Sequence, residues 1–421
     1  MLRWIAWIVV YSLSVLIPFA VEHFTTLWPS DVCKQNTSER GVEDVLYWAF
    51  THSGFRQLTA EHVTVVKLSK SELPELFTDL CKQRRFMATL VDVINHDGAA
   101  LIVIDRYFTP DGCSDDTTNA ELVRTLAAVS KETPIVVGRQ TLNEREWCAD
   151  FERSPDDADQ RFRSACLVLV PFLDLPTLTK SENVLSGATR LNADPRKIPL
   201  EWFAYPSGFT GEPTLIPSLA LVAAKVRNPK LTGTRTIKDY VAAHHHPLTT
   251  FVPRNEIPEV SAISLLCSTP AATTFQLSNC KADNGLHWAL KGRVVIVGLY
   301  SKDDDHETRT PLGSVQGAIL QANYIESLLD GYYLRLPSKY FTLVAALCWV
   351  LLIELLFAKA RSPEIAVLAW VGLILLSLGF CWVFLHATGI LTFVGASGTP
   401  LLVVIDYLNS KKTLFASRKT H

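Results

Sequence analysis

Apolar residues along this chain fall into two kinds of run. Four are long and nearly unbroken: Trp4 to Val21, Tyr340 to Ala358, Ile365 to His386 and Ile390 to Leu408. Each is long enough to cross a bilayer as a helix. The residues between the first and second of these carry shorter, alternating patterns. Val63 to Leu68 reads as a strand, and Leu73 to Asn95 as a helix, with Leu76, Leu80, Met87, Leu90, Val91 and Ile94 recurring at steps of three and four. Leu101 to Ile104 is a continuous apolar strand between Gly98 and Asp105. Asn119 to Ser130 follows as a helix, Pro134 to Gly138 as a third strand and Cys166 to Val170 as another. Val294 to Gly298 is the last clear strand, followed by a helix over Gln316 to Gly331. Continuous apolar strands separated by helices predict an α/β fold, a mostly parallel sheet covered by helices on both faces. Residues 174–291 are less regular and rich in Pro, Thr, Asn and His; loops and a helix over Leu215 to Val226 are expected there.

Charge sets the expected topology. Arg3 precedes the first long run, Lys359 and Arg361 sit in the turn after the second, and Lys411, Lys412, Arg418 and Lys419 follow the last. The turn between the last two, Ala387-Thr388-Gly389, has no cation. Four crossings with both termini in the cytoplasm satisfy the positive-inside rule. The expected organisation is a transmembrane helix over 1–21, an extracytoplasmic domain over 22–338, three transmembrane helices over 339–409 and a cytoplasmic basic tail over 410–421. The expected location is the inner (plasma) membrane of a bacterium. A cleaved leader is the rival reading of the first run, but Pro18-Phe19-Ala20 is a poor small-x-small site. No output module is expected beyond the tail.

Composition narrows the function. A net charge of -2 with 19% charged residues and no basic stripe excludes a nucleic-acid binder. Of the nine cysteines, Cys33, Cys81, Cys113, Cys148, Cys166, Cys267 and Cys280 fall in the expected outer domain, where an oxidising compartment permits disulfides. Cys267 with Cys280 and Cys148 with Cys166 are close in sequence, and at least one of these pairs is expected to be bridged. Dinucleotide, P-loop, nucleophile-elbow and zinc-protease signatures are all missing, so neither enzyme activity nor a cofactor is expected. His244-His245-His246, followed by Pro247, reads as a solvated loop, because three adjacent imidazoles cannot all face one ion on a regular element.

Two positions suit ligand capture. Asp105 and Arg106 end a buried strand, and Asp303, Asp304 and Asp305 follow the last one. Ligands of open parallel sheets bind beyond the carboxyl ends of strands. The Asp303 to Glu307 loop has oxygen ligands for a hard cation, but a solvated acidic loop is the expected reading, and no metal site is assigned. Within the long runs, Glu354 lies near a helix end, where it is expected to pair with Lys359 or Arg361; Asp406 is placed similarly. Gly395 and Gly398 supply small residues for close helix packing.

Several of these segments carry a resemblance. Asn95 to Phe108, with Gly98-Ala99, Ile102, Ile104-Asp105 and Phe108 in place, resembles a segment of the CHASE type-two sensor domains. Those are extracellular domains associated with bacterial cyclases and histidine kinases. Leu290 to Gly298 is similar to that family's last strand, Thr308 to Leu312 and Gly317 to Asn323 to the run after it, and Pro217 to Ala224 to its central helix. The layout of one helix, an outer domain and then three helices matches as well. Two departures stand out. Leu80 to Phe86 replaces a segment usually rich in Trp and Pro, and Gln321 stands where the family has a histidine. The resemblance implies an extracytoplasmic sensor or scaffold. Without an output module it must act through a separate partner, another membrane or envelope protein or a second copy of itself. The alternative is a structural subunit of an envelope assembly with no ligand.

Overall fold

The computed structural model describes residues 60–143, then 167–169, 183–191, 195–204, 214–231, 247–252, 254–267, 286–300, 308–310 and 313–331, with isolated positions elsewhere up to 383. The chain divides into two compact units, Thr51–Tyr333 and the combination of Met1–Phe50 with Leu334–His421. The architecture below is that of the first unit.

In chain order the strands are β1 (Val63–Ser69), β2 (Leu101–Ile104), β3 (Ile135–Arg139), β4 (Thr141–Asn143), β5 (Leu167–Leu169), β6 (Val184–Ala188), β7 (Glu201–Ala204), β8 (Thr214–Pro217), β9 (Glu259–Ser261), β10 (Val294–Tyr300), β11 (Thr308–Thr310) and β12 (Gly313–Val315). The helices are α1 (Glu75–Thr78), α2 (Leu80–His96), α3 (Asp116–Val129), α4 (Leu219–Arg227), α5 (Ala262–Cys267), α6 (Leu286–Leu290) and α7 (Gly317–Asp330). Six strands form one sheet in the order β6-β3-β2-β10-β1-β9, with every pair parallel. The α/β reading is therefore right, and the sheet is more uniformly parallel than expected.

The sheet is buried on both faces because its strands are apolar throughout. Val66, Leu68, Ile102, Ile104, Ile135, Val137, Val295 and Val297 join α2 and α3 in one large core. The alternate residues Val65, Leu101, Val103, Val136 and Ile296 are equally buried. They face α4 and α7, which pack on β1, β2, β3, β6 and β10. At roughly 1.5–3 kcal/mol per buried aliphatic side chain, these two layers supply most of the drive to fold. From Ala318 to Leu328 every residue of α7 is buried, so the helix is enclosed by protein all round. Three of its polar side chains find partners on distant segments of the chain. Asn323 accepts from the Val252 amide at 2.6 Å, Tyr324 donates to the Pro195 carbonyl at 2.8 Å, and Ser327 meets Thr249 at 2.7 Å. Gly331 ends the helix at φ 64°, a left-handed conformation that glycine adopts without strain.

Several sequence expectations need correction. The helix expected over Leu73 to Asn95 is broken at Asp79, whose extended backbone lets its carboxylate cap α2 by accepting from the amides of Cys81 and Lys82 at 3.0 Å. The helix expected from Asn119 starts at Asp116, behind the Asp115 cap. The segment expected to be helical from Leu215 begins as strand β8, and α4 starts only after Ser218. Cys166 to Val170 contains β5, but this strand pairs antiparallel with β4, outside the main sheet. The irregular 174–291 region supplies both edge strands, β6 and β9. The four long apolar runs, with Glu354, Asp406, Gly395 and Gly398, lie outside the described residues apart from isolated positions. Among the described residues no helix is long and apolar enough to cross a membrane.

Candidate functional site

Strands β2 and β10 are neighbours, yet the chain leaves them in opposite directions. After β2 it passes to α3 on one face; after β10 it passes to α7 on the other. Such a divergence opens a crevice beyond the carboxyl ends of the strands, where ligands of open α/β sheets bind. Asp105 stands at this point. Its amide donates to the Val297 carbonyl at 3.0 Å, which extends the β2–β10 ladder by one residue.

Three of the six positions in the row of the sheet that Asp105 occupies are glycine, the others being Asp105, Lys67 and Ser261. Continuing the strand registers sets Asp105 beside Gly138 of β3 on one side and Gly298 of β10 on the other, and Gly138 is paired with Gly187 of β6. The missing side chains let backbone approach. A Cβ on Gly187 would lie 2.7 Å from the Leu219 Cα at the start of α4, and one on Gly138 would lie 2.9 Å from the Arg106 carbonyl oxygen. At the start of α7, a Cβ on Gly317 would sit 4.0 Å from Asp105 Oδ2. The carboxylate thus lies beside the amino end of a fourteen-residue helix, where the helix dipole favours negative charge.

Asp105 retains partial solvent access, but the groups packed round it desolvate the carboxyl and push its pKa up to about 7, with the Arg106 charge acting in the opposite sense. No hydrogen bond contributes to that balance. Arg106 itself lies over the Tyr107 ring at 5.3 Å. Arg139, at the end of β3, has a buried Nε with no hydrogen-bond partner, and desolvation lowers its pKa. Gln321, one turn into α7 from Gly317, is 1% exposed. Its Nε2 donates to the Thr189 carbonyl beyond β6 at 3.2 Å, and its buried Oε1 has no partner. Polar atoms left this way at strand ends are unusual in a native interior.

The loop after Asp105 is pinned from beneath. Cys81 in the first turn of α2 is bridged to Cys113, with Cα atoms 5.0 Å apart. Arg84, 2% exposed, donates to the Thr109 carbonyl and to the Asn119 side chain. Arg85 reaches Asp115 at 2.7 Å and Thr118 at 2.8 Å. Hydrogen bonds from Thr117 first, then Thr118, hold the Asp115 carboxyl well below the usual carboxylate range. All of these anchors lie in or against Leu80 to Phe86, the segment where the sequence departs from the CHASE type-two pattern.

Of the residues singled out from sequence, Asp105 and Arg106 are together at the switch point. Asp303, Asp304 and Asp305 follow β10 but lie outside the described residues, as do Cys148, Cys166 and Cys280. Cys267 is disulfide-bonded; the other described cysteines are the bridged Cys81 and Cys113 and the free Cys348, so its partner is outside the described residues. Sequence reasoning did not single out the Cys81–Cys113 pair, whose separation of 32 residues gives no local signal. It also missed Arg139 and the glycine row, which only the strand register aligns.

No curated protein and no solved structure matches the chain. A family comparison does: residues 26–355 match the CHASE2 domain. That span takes in the whole sheet, the crevice and α7, and it agrees with the family that the motifs around Asp105 and Gly317 resemble. The chain belongs to the CHASE2 domain family, whose members are extracellular sensory domains.

Proposed function

We propose that this protein is a membrane-anchored extracytoplasmic sensor that captures a small polar ligand in the crevice at Asp105 and passes its state to a separate partner protein. The observation that carries this reading is the Asp105 carboxyl itself. It is desolvated at a topological switch point, beside a helix start, with no hydrogen bond to offset the cost. A fold has no need of an acid there, and apolar or amide residues would be cheaper. A ligand with a hydrogen-bond donor or cationic group would satisfy it.

Two observations support the location and anchoring. The bridged Cys81, Cys113 and Cys267 fit an oxidising compartment outside the cytoplasm. Val344, Cys348, Leu351 and Leu352 are helical and exposed. Their spacing of four, seven and eight puts them on one helix face, as expected of a surface turned towards lipid.

The test is a thermal-shift screen of the full chain in detergent against small polar metabolites. A genuine ligand raises the melting temperature, and Asp105→Asn removes the rise while the unliganded protein stays folded. Hits that stabilise Asp105→Asn as well as the native chain would place sensing elsewhere. The absence of any hit would favour a ligand-free structural subunit.

A further inference from the structure

Away from the crevice, a second cluster joins the entry of the sheet to the far end of α7. His62, Glu326 and Asp330 each offer one ligand atom, and these atoms all lie within 4.8 Å of one another. His62 immediately precedes β1. Glu326 and Asp330 are four residues apart, so they share one face of the last turns of α7. His62 Nε2 is 3.3 Å from Asp330 Oδ1.

The Glu326 carboxylate, 1% exposed, is fixed by backbone rather than by a cation. Its Oε1 accepts from the amides of Glu61 at 2.7 Å and His62 at 3.0 Å, whereas Oε2 has only the shared His62 amide at 3.2 Å. Oε2 therefore keeps acceptor capacity, and the Glu326 carboxylate offers an oxygen within 4.8 Å of ligand atoms on His62 and Asp330. Carboxylates that ligate metals are commonly oriented by such outer hydrogen bonds. Burial raises the Glu326 pKa and the Asp330 charge adds to the rise, while the backbone donors and His62 oppose it. Arg293, the nearby cation ahead of β10, donates to the carbonyls of Ala60 at 2.9 Å and Val63 at 3.4 Å instead. Two carboxylates and one imidazole thus converge there among the described residues.

We propose that His62, Glu326 and Asp330 bind a divalent transition-metal ion of the zinc class, which ties the start of β1 to the end of α7. One imidazole and two carboxylates form a nitrogen–oxygen donor set of the kind zinc takes, with a fourth position left for water. Magnesium and calcium prefer oxygen throughout, and soft ions prefer sulfur. The location gives the ion a consequence. The same helix begins beside Asp105, so metal would hold one end of the element whose other end borders the crevice.

The experiment uses the full chain in detergent, stripped with EDTA and carrying Ala at His244, His245 and His246, so that this imidazole tract reports nothing. Zinc chloride is the probe, read by equilibrium dialysis and by melting temperature at pH 7.5. The expected result is one tight zinc per chain and a higher melting temperature, with magnesium chloride giving neither. His62→Ala and Asp330→Asn should each weaken zinc binding at least tenfold. Asp330, with a side chain 27% exposed, carries the test if the His62 variant fails to fold. Zinc binding unchanged in Asp330→Asn, or no stoichiometric zinc in the unsubstituted cluster, would overturn the proposal and leave a plain His62–Asp330 ion pair.

Discussion

Removing the charge from Asp105 should stabilise the protein, and by an amount that grows with pH. The folded-state pKa is about 7, against 3.8 for an ordinary aspartate. A carboxyl whose pKa is raised by folding binds its proton more tightly in the native state. Its contribution is fully present below pH 4, declines as pH climbs, and is lost once pH passes 7. Converted at about 1.4 kcal/mol per pH unit between the two values, the penalty for the ionised form reaches at most about 4 kcal/mol above pH 7. Asp105→Asn keeps the shape and cannot ionise. At pH 4 the variant and native chains should melt within a degree or two of each other; at pH 8 the variant should be clearly more stable. Comparing the two chains at each pH cancels the titration of the other groups, including Asp115 and Glu326. The assay is thermal or urea unfolding of the full chain in one detergent from pH 4 to pH 8, followed by tryptophan fluorescence. A constant gap between variant and native across that range would show that Asp105 is not desolvated, and the argument for the crevice as a ligand site would lose its main support. A gap that grows with pH is the signature of stability given up at a functional position.

Further outcomes are expected. Cys81→Ser with Cys113→Ser should destabilise the domain by about 3–4 kcal/mol in the loop-entropy model, measured by unfolding with and without reductant; mass mapping of the unreduced protein should find this bridge and identify the partner of Cys267, with Cys280 expected. Gly187→Ala should lower stability by about 1–3 kcal/mol, because its Cβ would meet the α4 backbone at 2.7 Å; an unchanged melting temperature would mean that α4 can retreat freely. A reporter active only outside the cytoplasm, fused at residue 421, should be silent if the chain crosses the membrane four times. Mild detergent extraction from native membranes should yield a complex or homo-oligomer, weakened by replacing Gly395 and Gly398 with Leu; a monodisperse monomer that retains ligand response would refute the partner requirement.

The class of this fold was legible in the sequence because its strands are apolar on both faces. Leu101 to Ile104 and Val294 to Val297 have no polar alternation, and only a parallel sheet between two helical layers buries such runs completely. Asp105 was legible for a related reason: a charged residue directly after a fully buried strand sits at a carboxyl end wherever that strand lies in the sheet. What could not be read was lateral order. Nothing local announces that β10 inserts between β1 and β2, yet that insertion makes the Asp105 crevice a switch point and sets Gly298 beside it, while the β2–β3 and β3–β6 pairings align Gly138 and Gly187 on the other side. The edge strands β6 and β9 escaped notice because β9 is only Glu-Val-Ser and β6 carries Ser, Gly and Ala after Val184-Leu185, so neither shows a continuous apolar run. The Asp79 break in the helical pattern is a contest between periodicity and a local cap, and the extended backbone of Asp79 with its two amide hydrogen bonds shows that the cap prevails. Glu326 did leave a trace, a carboxylate in the middle of a helix whose neighbours Tyr324, Ile325 and Leu328 are apolar or aromatic. Its partners at Glu61 and His62 lie some 265 residues away in the chain, and only the folded sheet, which sets the start of β1 against the end of α7, brings them together.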